Sequence, residues 1–128
     1  MRQSISVFFA AGVLVLGIAA ALAQSAPATT ADTSKGKALV DGKGMTLYVF
    51  DKDATGASNC NDQCAINWPP LMAAAGAKPS GPWTVVTRKD GGTQWAYKGM
   101  PVYTFHKDAQ PGDVSGDGVN NVWHIAAP

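Results

Sequence analysis

Hydrophobic positions along this chain follow two patterns. From Ile5 to Leu22 they dominate, with no charged residue. From about residue 37 to residue 126 they come in short alternating runs separated by Gly, Asp, Asn and Pro. Alternation with period two is the mark of a strand. In Met45-Thr46-Leu47-Tyr48-Val49-Phe50, one face carries Met45, Leu47 and Val49 and the other Thr46, Tyr48 and Phe50. Apolar bulk on both faces predicts a strand buried on both sides. Before it, Ala38-Leu39-Val40 and the turn pair Asp41-Gly42 predict a hairpin. Further on, Trp83-Thr84-Val85-Val86-Thr87, a turn at Asp90-Gly91-Gly92, and Thr93-Gln94-Trp95-Ala96-Tyr97 predict a meander, and Val122 to Ala126 a closing strand. One short helix is predicted over 59–66, capped by Ser58 or Asn59 and stopped by Trp68-Pro69-Pro70. Residues 69–82, rich in Pro, Ala and Gly, read as a connector. The expected fold is a small, mainly β single domain of about six strands with one short helix near Cys60 and Cys64.

The alternation repeats itself. Lys43-Gly-Met-Thr-Leu-Tyr-Val-Phe-Asp-Lys-Asp-Ala54 lies over Lys98-Gly-Met-Pro-Val-Tyr-Thr-Phe-His-Lys-Asp-Ala109 without a gap. The same offset matches Asp62 to Asp117 and Trp68 to Trp123. A unit this short cannot bury its own apolar face, so two copies, about 37–71 and 92–126, are expected to complete one core with pseudo-twofold symmetry.

The uncharged apolar run changes the compartment. Arg2 supplies a positive start, and Ala21-Leu22-Ala23 before Gln24 fits a signal-peptidase site, so residues 1–23 read as a cleaved signal peptide. Gln24 stands where a lipoprotein would carry its acceptor cysteine. The expected product is periplasmic or secreted, not lipidated, and has no stable membrane insertion. Residues 24–36 have linker composition and are expected to be disordered, leaving 37–128 as the domain. Beyond residue 23, nine Lys and Arg balance nine Asp, and there is no Glu. A neutral chain lacks the basic excess that nucleic acid or an anionic membrane requires. Asp favours turns over helix interiors, which again suits a β fold.

Cys60 and Cys64 are the only cysteines. In an exported chain their default state is a disulfide, which the i, i+4 spacing of one helical turn permits. The alternatives are weaker: Cys-x-x-Cys-His for haem is absent, Asp62 is the only nearby ionisable group for a zinc site, and redox pairs usually have two intervening residues rather than three.

The paired motifs Tyr48-x-Phe50-x-x-Asp53 and Tyr103-x-Phe105-x-x-Asp108 resemble the Tyr-x-(Phe/Trp/Tyr)-x-x-Asp motif of a bacterial secreted-repeat family whose members are often described as predicted lipoproteins. Asn59-Cys60 to Cys64, Asn67-Trp68-Pro69-Pro70-Leu71, Trp95 to Gly99 and Pro111-Gly112-Asp113-Val114 to His124 resemble it too. The resemblance covers about residues 37–126. It implies an extracytoplasmic location and a repeat architecture, and it supplies no activity, since that family is one of unknown function.

Three sets of residues could carry chemistry. The motif aromatics read as core, with Asp53 and Asp108 capping turns. Asp113, Ser115, Asp117, Gly118 and Asn121 fall at ligand or turn positions of a calcium loop, but His124 takes the place of its bidentate acid. His106 and His124, with Met45 and Met100, could suit copper, although His106 aligns with Asp51 and no histidine pair is shared between the copies. No catalytic or nucleotide-binding motif occurs. The expected function is that of a non-enzymatic binding or accessory module of the cell envelope, with no cofactor and with an envelope component or small ligand as partner. The alternative is a periplasmic copper- or calcium-binding protein using His106 and His124 or the Asp113–Asp117 loop.

Overall fold

The computed structural model describes residues 26–128. The proposed signal peptide lies outside the described residues. Among the described residues, seven short strands, one helix and one 3-10 turn follow in the order β1 (Thr29–Thr33), β2 (Gly36–Val40), β3 (Tyr48–Phe50), α1 (Gln63–Asn67), β4 (Trp83–Thr87), β5 (Thr93–Tyr97), β6 (Met100–Pro101), the 3-10 turn Val119–Asn121, and β7 (Trp123–Ile125). They form three small antiparallel sheets: β1-β2, β3-β7 and β4-β5-β6. The protein is mainly β, with one strand more than the alternation predicts.

The added strand is β1, and it corrects the expected disordered linker. Thr29 to Thr33 pair residue by residue with Val40 to Gly36, and Ala28 is buried beside Leu39. Its pattern is mostly exposed, so no apolar period marks it. Threonine's β-branched side chain suits an edge strand all the same. The predicted hairpin after Val40 is wider than a two-residue turn. Asp41 N–H donates to the Met45 carbonyl at 2.9 Å, and the Asp41 carboxylate accepts from the N–H groups of Lys43 and Met45. The helix begins at Gln63 rather than 59, because Ser58 and Asn59 are engaged elsewhere, as described below. It stops at Trp68 before the two prolines.

The central strand is buried on both faces. Leu47 and Val49 enter a cluster with Leu39, Trp83, Val102 and Ala126. Tyr48 and Phe50 enter a second cluster with Trp68, Tyr103, Phe105, Trp123 and Cys60. The second copy divides the same way, Val102 to one cluster and Tyr103 and Phe105 to the other.

The pseudo-twofold axis passes between two equivalent tyrosines. Tyr48 N–H donates to the Tyr103 carbonyl at 2.7 Å, and Tyr103 N–H donates back to the Tyr48 carbonyl at 3.0 Å. Each copy then gives its closing segment to the other. Ala126, from the second copy, donates to Leu47 and accepts from Leu39, both at 2.8 Å. Leu71, from the first, donates to Val102 at 3.0 Å and accepts from Trp95 at 2.8 Å. Residues 70–73, part of the stretch read as connector from composition, therefore bridge to the second copy, Pro70 to Tyr103 and Met72 to Gln94, and Ala73 N–H bonds the Thr93 carbonyl. In space, one half is residues 28–50 with 123–126, and the other is the continuous stretch 70–105. Two loops, 51–67 and 106–122, cross between them.

Equivalent aromatics meet on the axis. Trp68 and Trp123 stack at 3.8 Å between ring centroids and 2° between planes. Phe105 stacks on the far side of Trp68, and Phe50 on the far side of Trp123. Tyr48 stands edge-on to Trp68 and Tyr103 to Trp123. Loss of either tryptophan empties a slot in a close-packed column. Trp68→Ala and Trp123→Ala are each expected to cost about 3–5 kcal/mol in denaturant unfolding. With the closing segments exchanged, both variants should still unfold in one transition by fluorescence and by far-ultraviolet dichroism alike. A resolved intermediate would contradict the interlocked core.

Candidate functional site

The motif's acids are brought back by a turn after each central strand. Asp53 N–H bonds the Phe50 carbonyl and Asp108 N–H the Phe105 carbonyl, both at 3.0 Å. Each carboxylate then fixes its own loop. Asp53 accepts from Asn59 N–H at 2.7 Å, and Asp108 accepts from the N–H and hydroxyl of Ser115. With the other oxygen each reaches across the axis. Tyr103 donates its hydroxyl to Asp53 and Tyr48 donates its hydroxyl to Asp108, both at 2.6 Å. The Tyr and Asp of one motif thus never bond each other; each serves the opposite copy.

The two crossings sit in different surroundings. Tyr48 also accepts from Gly116 N–H at 3.2 Å. A Cβ on Gly116 would come within 2.9 Å of ring atoms of both Trp68 and Tyr48, so only glycine allows the loop to close over them. Tyr103 instead shares a 2.6 Å hydrogen bond with Ser58, which leads to a buried Arg88. One Arg88 nitrogen donates to Ser58 at 3.0 Å and Gln94 at 2.8 Å; the other donates to the Cys60 carbonyl at 2.7 Å. Gln94 is fully buried and passes its amide to the Val102 carbonyl. Every polar member of this chain has a partner, as burial demands.

Burial raises both phenols well above the ordinary tyrosine value, and the neighbouring carboxylates push in the same direction. Asp53 is also raised, by burial first, against the lowering pull of its hydrogen bonds from Tyr103 and Asn59 and of the Arg88 charge.

Cys60 and Cys64 form a disulfide with Cα atoms 5.2 Å apart. Cys60 is fully buried in the aromatic cluster, and Cys64, partly exposed, packs against its edge. Beside the loop they close lies an open hollow of about 210 Å³ lined by Asn61, Asp62, Lys89 and Asp90.

The residues considered for metal are dispersed among other partners. His124 Nε2 lies 2.8 Å from the Asp51 carboxylate, and His106 Nδ1 lies 3.0 Å from the Asn67 carbonyl. Asp113 accepts from the N–H groups of Ala109 and Gln110, and Asp117 from that of Ile125. Met45 and Met100 are partly buried at equivalent ends of the central strands. Among the described residues no group of three or more His, Cys, Asp or Glu is arranged to hold a metal ion.

Sequence reasoning missed Arg88, which it counted only among the charges. One clue was available. After residue 2 it is the only arginine in a chain whose other cations are all lysine, and a buried fork of donors is what arginine supplies and lysine does not.

Comparison with known proteins places these features in a family. The model of a secreted repeat of unknown function matches residues 29–72 and again residues 84–127. Both matches begin earlier than the copies at 37–71 and 92–126, because each takes in the hairpin ahead of the central strand. No curated protein and no solved structure matches. Among the described residues no helix is long and apolar enough to cross a membrane.

Two measurements probe the crossings. Tyr103→Phe leaves the buried Asp53 carboxylate short of a donor and is expected to cost about 1–3 kcal/mol, more than Tyr48→Phe at its more open counterpart. Because both phenols titrate higher folded than unfolded, their contribution is complete below the unfolded tyrosine value of about 10 and is lost as pH rises through the folded values. In a Tyr97→Phe background, phenolate absorbance should therefore appear only together with unfolding on alkaline titration.

Proposed function

Since the chain belongs to this family of secreted repeats, we propose that it acts outside the cytoplasm as a binding or accessory module of the cell envelope. One observation carries the reading. Tyr48, Phe50, Tyr103 and Phe105 are buried, and Asp53 and Asp108 are committed to the clasp between copies. The motif is then a scaffold device, and recognition falls to the surface that the scaffold holds. The loops 51–67 and 106–122 are equal in length but share only Lys52/Lys107, Asp53/Asp108, Ala54/Ala109 and Asp62/Asp117. The first carries the disulfide and α1, and the second carries the Gly-Asp-Asn turn with Ser115 and Val119 at the cysteine positions. A rigid frame with variable, polar, crossing loops is a common arrangement for binding.

The metal reading through His106 and His124 or Asp113 and Asp117 has less support, since these groups are paired with other partners. Elemental analysis of protein taken from its native compartment separates the two, and a stoichiometric metal would favour the latter.

The binding reading is tested by in-situ cross-linking followed by recovery of the full chain from intact envelopes. A triple substitution in the first loop (Lys52→Ala, Gln63→Ala, Ile66→Ala), or one in the second (Lys107→Ala, Gln110→Ala, Asn120→Ala), should abolish a cross-link that Thr30→Ala and Thr84→Ala on the hairpins retain. Equal cross-linking by all variants would refute loop-borne recognition.

A further inference from the structure

The two crossing loops form an internal control on the disulfide. Loop 106–122 spans the same halves and closes on its own Asp-Tyr crossing with Ser115 and Val119 where loop 51–67 has Cys60 and Cys64. Val119 and Cys64 even pack against the same aromatic cluster. The fold therefore closes such a loop without a covalent staple. A four-residue separation also gives little chain-entropy stabilisation, about 2 kcal/mol or less. Stability alone does not account for the pair.

Three features around the bond bear on its chemistry. Cys60 is fully buried and Cys64 only partly, so Cys64 is the more accessible of the two residues. A buried guanidinium, that of Arg88, is held on the Cys60 carbonyl at 2.7 Å, with the exposed Asp90 carboxylate 3.7 Å from its other side. A cation close to a cysteine favours thiolate over thiol, apolar burial opposes it, and a better leaving thiolate makes a disulfide easier to open. Finally, an open hollow lies beside the loop, and two of its four lining residues, Asn61 and Asp62, stand between the cysteines.

We propose that Cys60–Cys64 is a thiol–disulfide exchange site for cysteine-bearing polypeptides of the same exported compartment, with Cys64 as the sulfur that meets the partner. A partner thiolate attacks Cys64 Sγ, forming a new S–S bond to Cys64 and breaking the bond to Cys60, which leaves as thiolate. The partner's second thiolate then attacks its own bridged sulfur and releases Cys64. The partner's dithiol is oxidised to a disulfide, the Cys60–Cys64 disulfide is reduced to two thiols, and the partner's thiol protons pass to them. This goes beyond the binding reading above and stands or falls separately from it.

The test uses the full mature chain and a glutathione redox buffer, with thiols counted by alkylation and mass. The native disulfide should open at physiological ratios of reduced to oxidised glutathione while tryptophan fluorescence stays native. A bond that resists glutathione until the protein is unfolded, or a fold that melts as the bond opens, would overturn the proposal. With a two-cysteine peptide as probe, Cys60→Ser should trap a mixed disulfide on Cys64 at least about tenfold more than Cys64→Ser traps one on the buried Cys60. Equal or reversed trapping would also overturn it. Both readouts are independent of any envelope cross-link.

Discussion

Trp68 lies flat on Trp123 between two phenylalanines, and because the tryptophans are equivalent residues, the contact is a self-pairing. Offset or edge-on aromatic pairs add about 0.5–1.5 kcal/mol beyond the area they bury, so a four-ring column flanked by two edge-on tyrosines is a large share of what a small domain can assemble. The remaining features serve to hold that column. The central strands pair at Tyr48 and Tyr103, the acids reach across to the opposite phenols, and the closing segments are exchanged. Neither copy contains both sides of its own core.

This arrangement explains why hydroxyl groups and carboxylates lie so deep. A buried phenol needs an acceptor and a buried carboxylate needs donors. Placing them on opposite copies satisfies both and ties the halves in one register, since a slip of one residue would separate two crossings at once. The second crossing goes further. Through Ser58 it joins Tyr103 and Asp53 to Arg88 and Gln94, and so ties the hairpin of one half to the disulfide loop.

Much of this could be read from the chain, and the failures have physical causes. Alternation located β4 and β5 to the residue and assigned Leu47 and Tyr48 to opposite buried faces, because these positions feel only their own strand and its neighbours. The one-to-one match of Lys43–Ala54 with Lys98–Ala109 announced a paired core. β1 escaped because an exposed edge strand of threonines carries no apolar period. The exchange of Leu71 and Ala126 escaped because Pro70-Leu71-Met72 has the composition of a connector, and only tertiary contacts bridge it to the second copy. The destination of Asp53 and Asp108 was half visible. Their capping of a local turn follows from spacing, while the phenol across the axis is a contact 50 residues away for Asp53 and 60 for Asp108 that no local pattern encodes.

The pairing of like with like at Tyr48/Tyr103 and Trp68/Trp123 also bears on ancestry. In a dimer of single units, one substitution alters both sides of such a contact together. Once two units share a polypeptide, each side must change by a separate event, and the first leaves its twin mismatched. The hairpins ahead of the central strands have drifted in turn length, Thr33 to Gly36 in one and Thr87 to Thr93 in the other, whereas the axis has kept its spacing. Gene fusion here would have frozen the centre of the molecule and released its periphery.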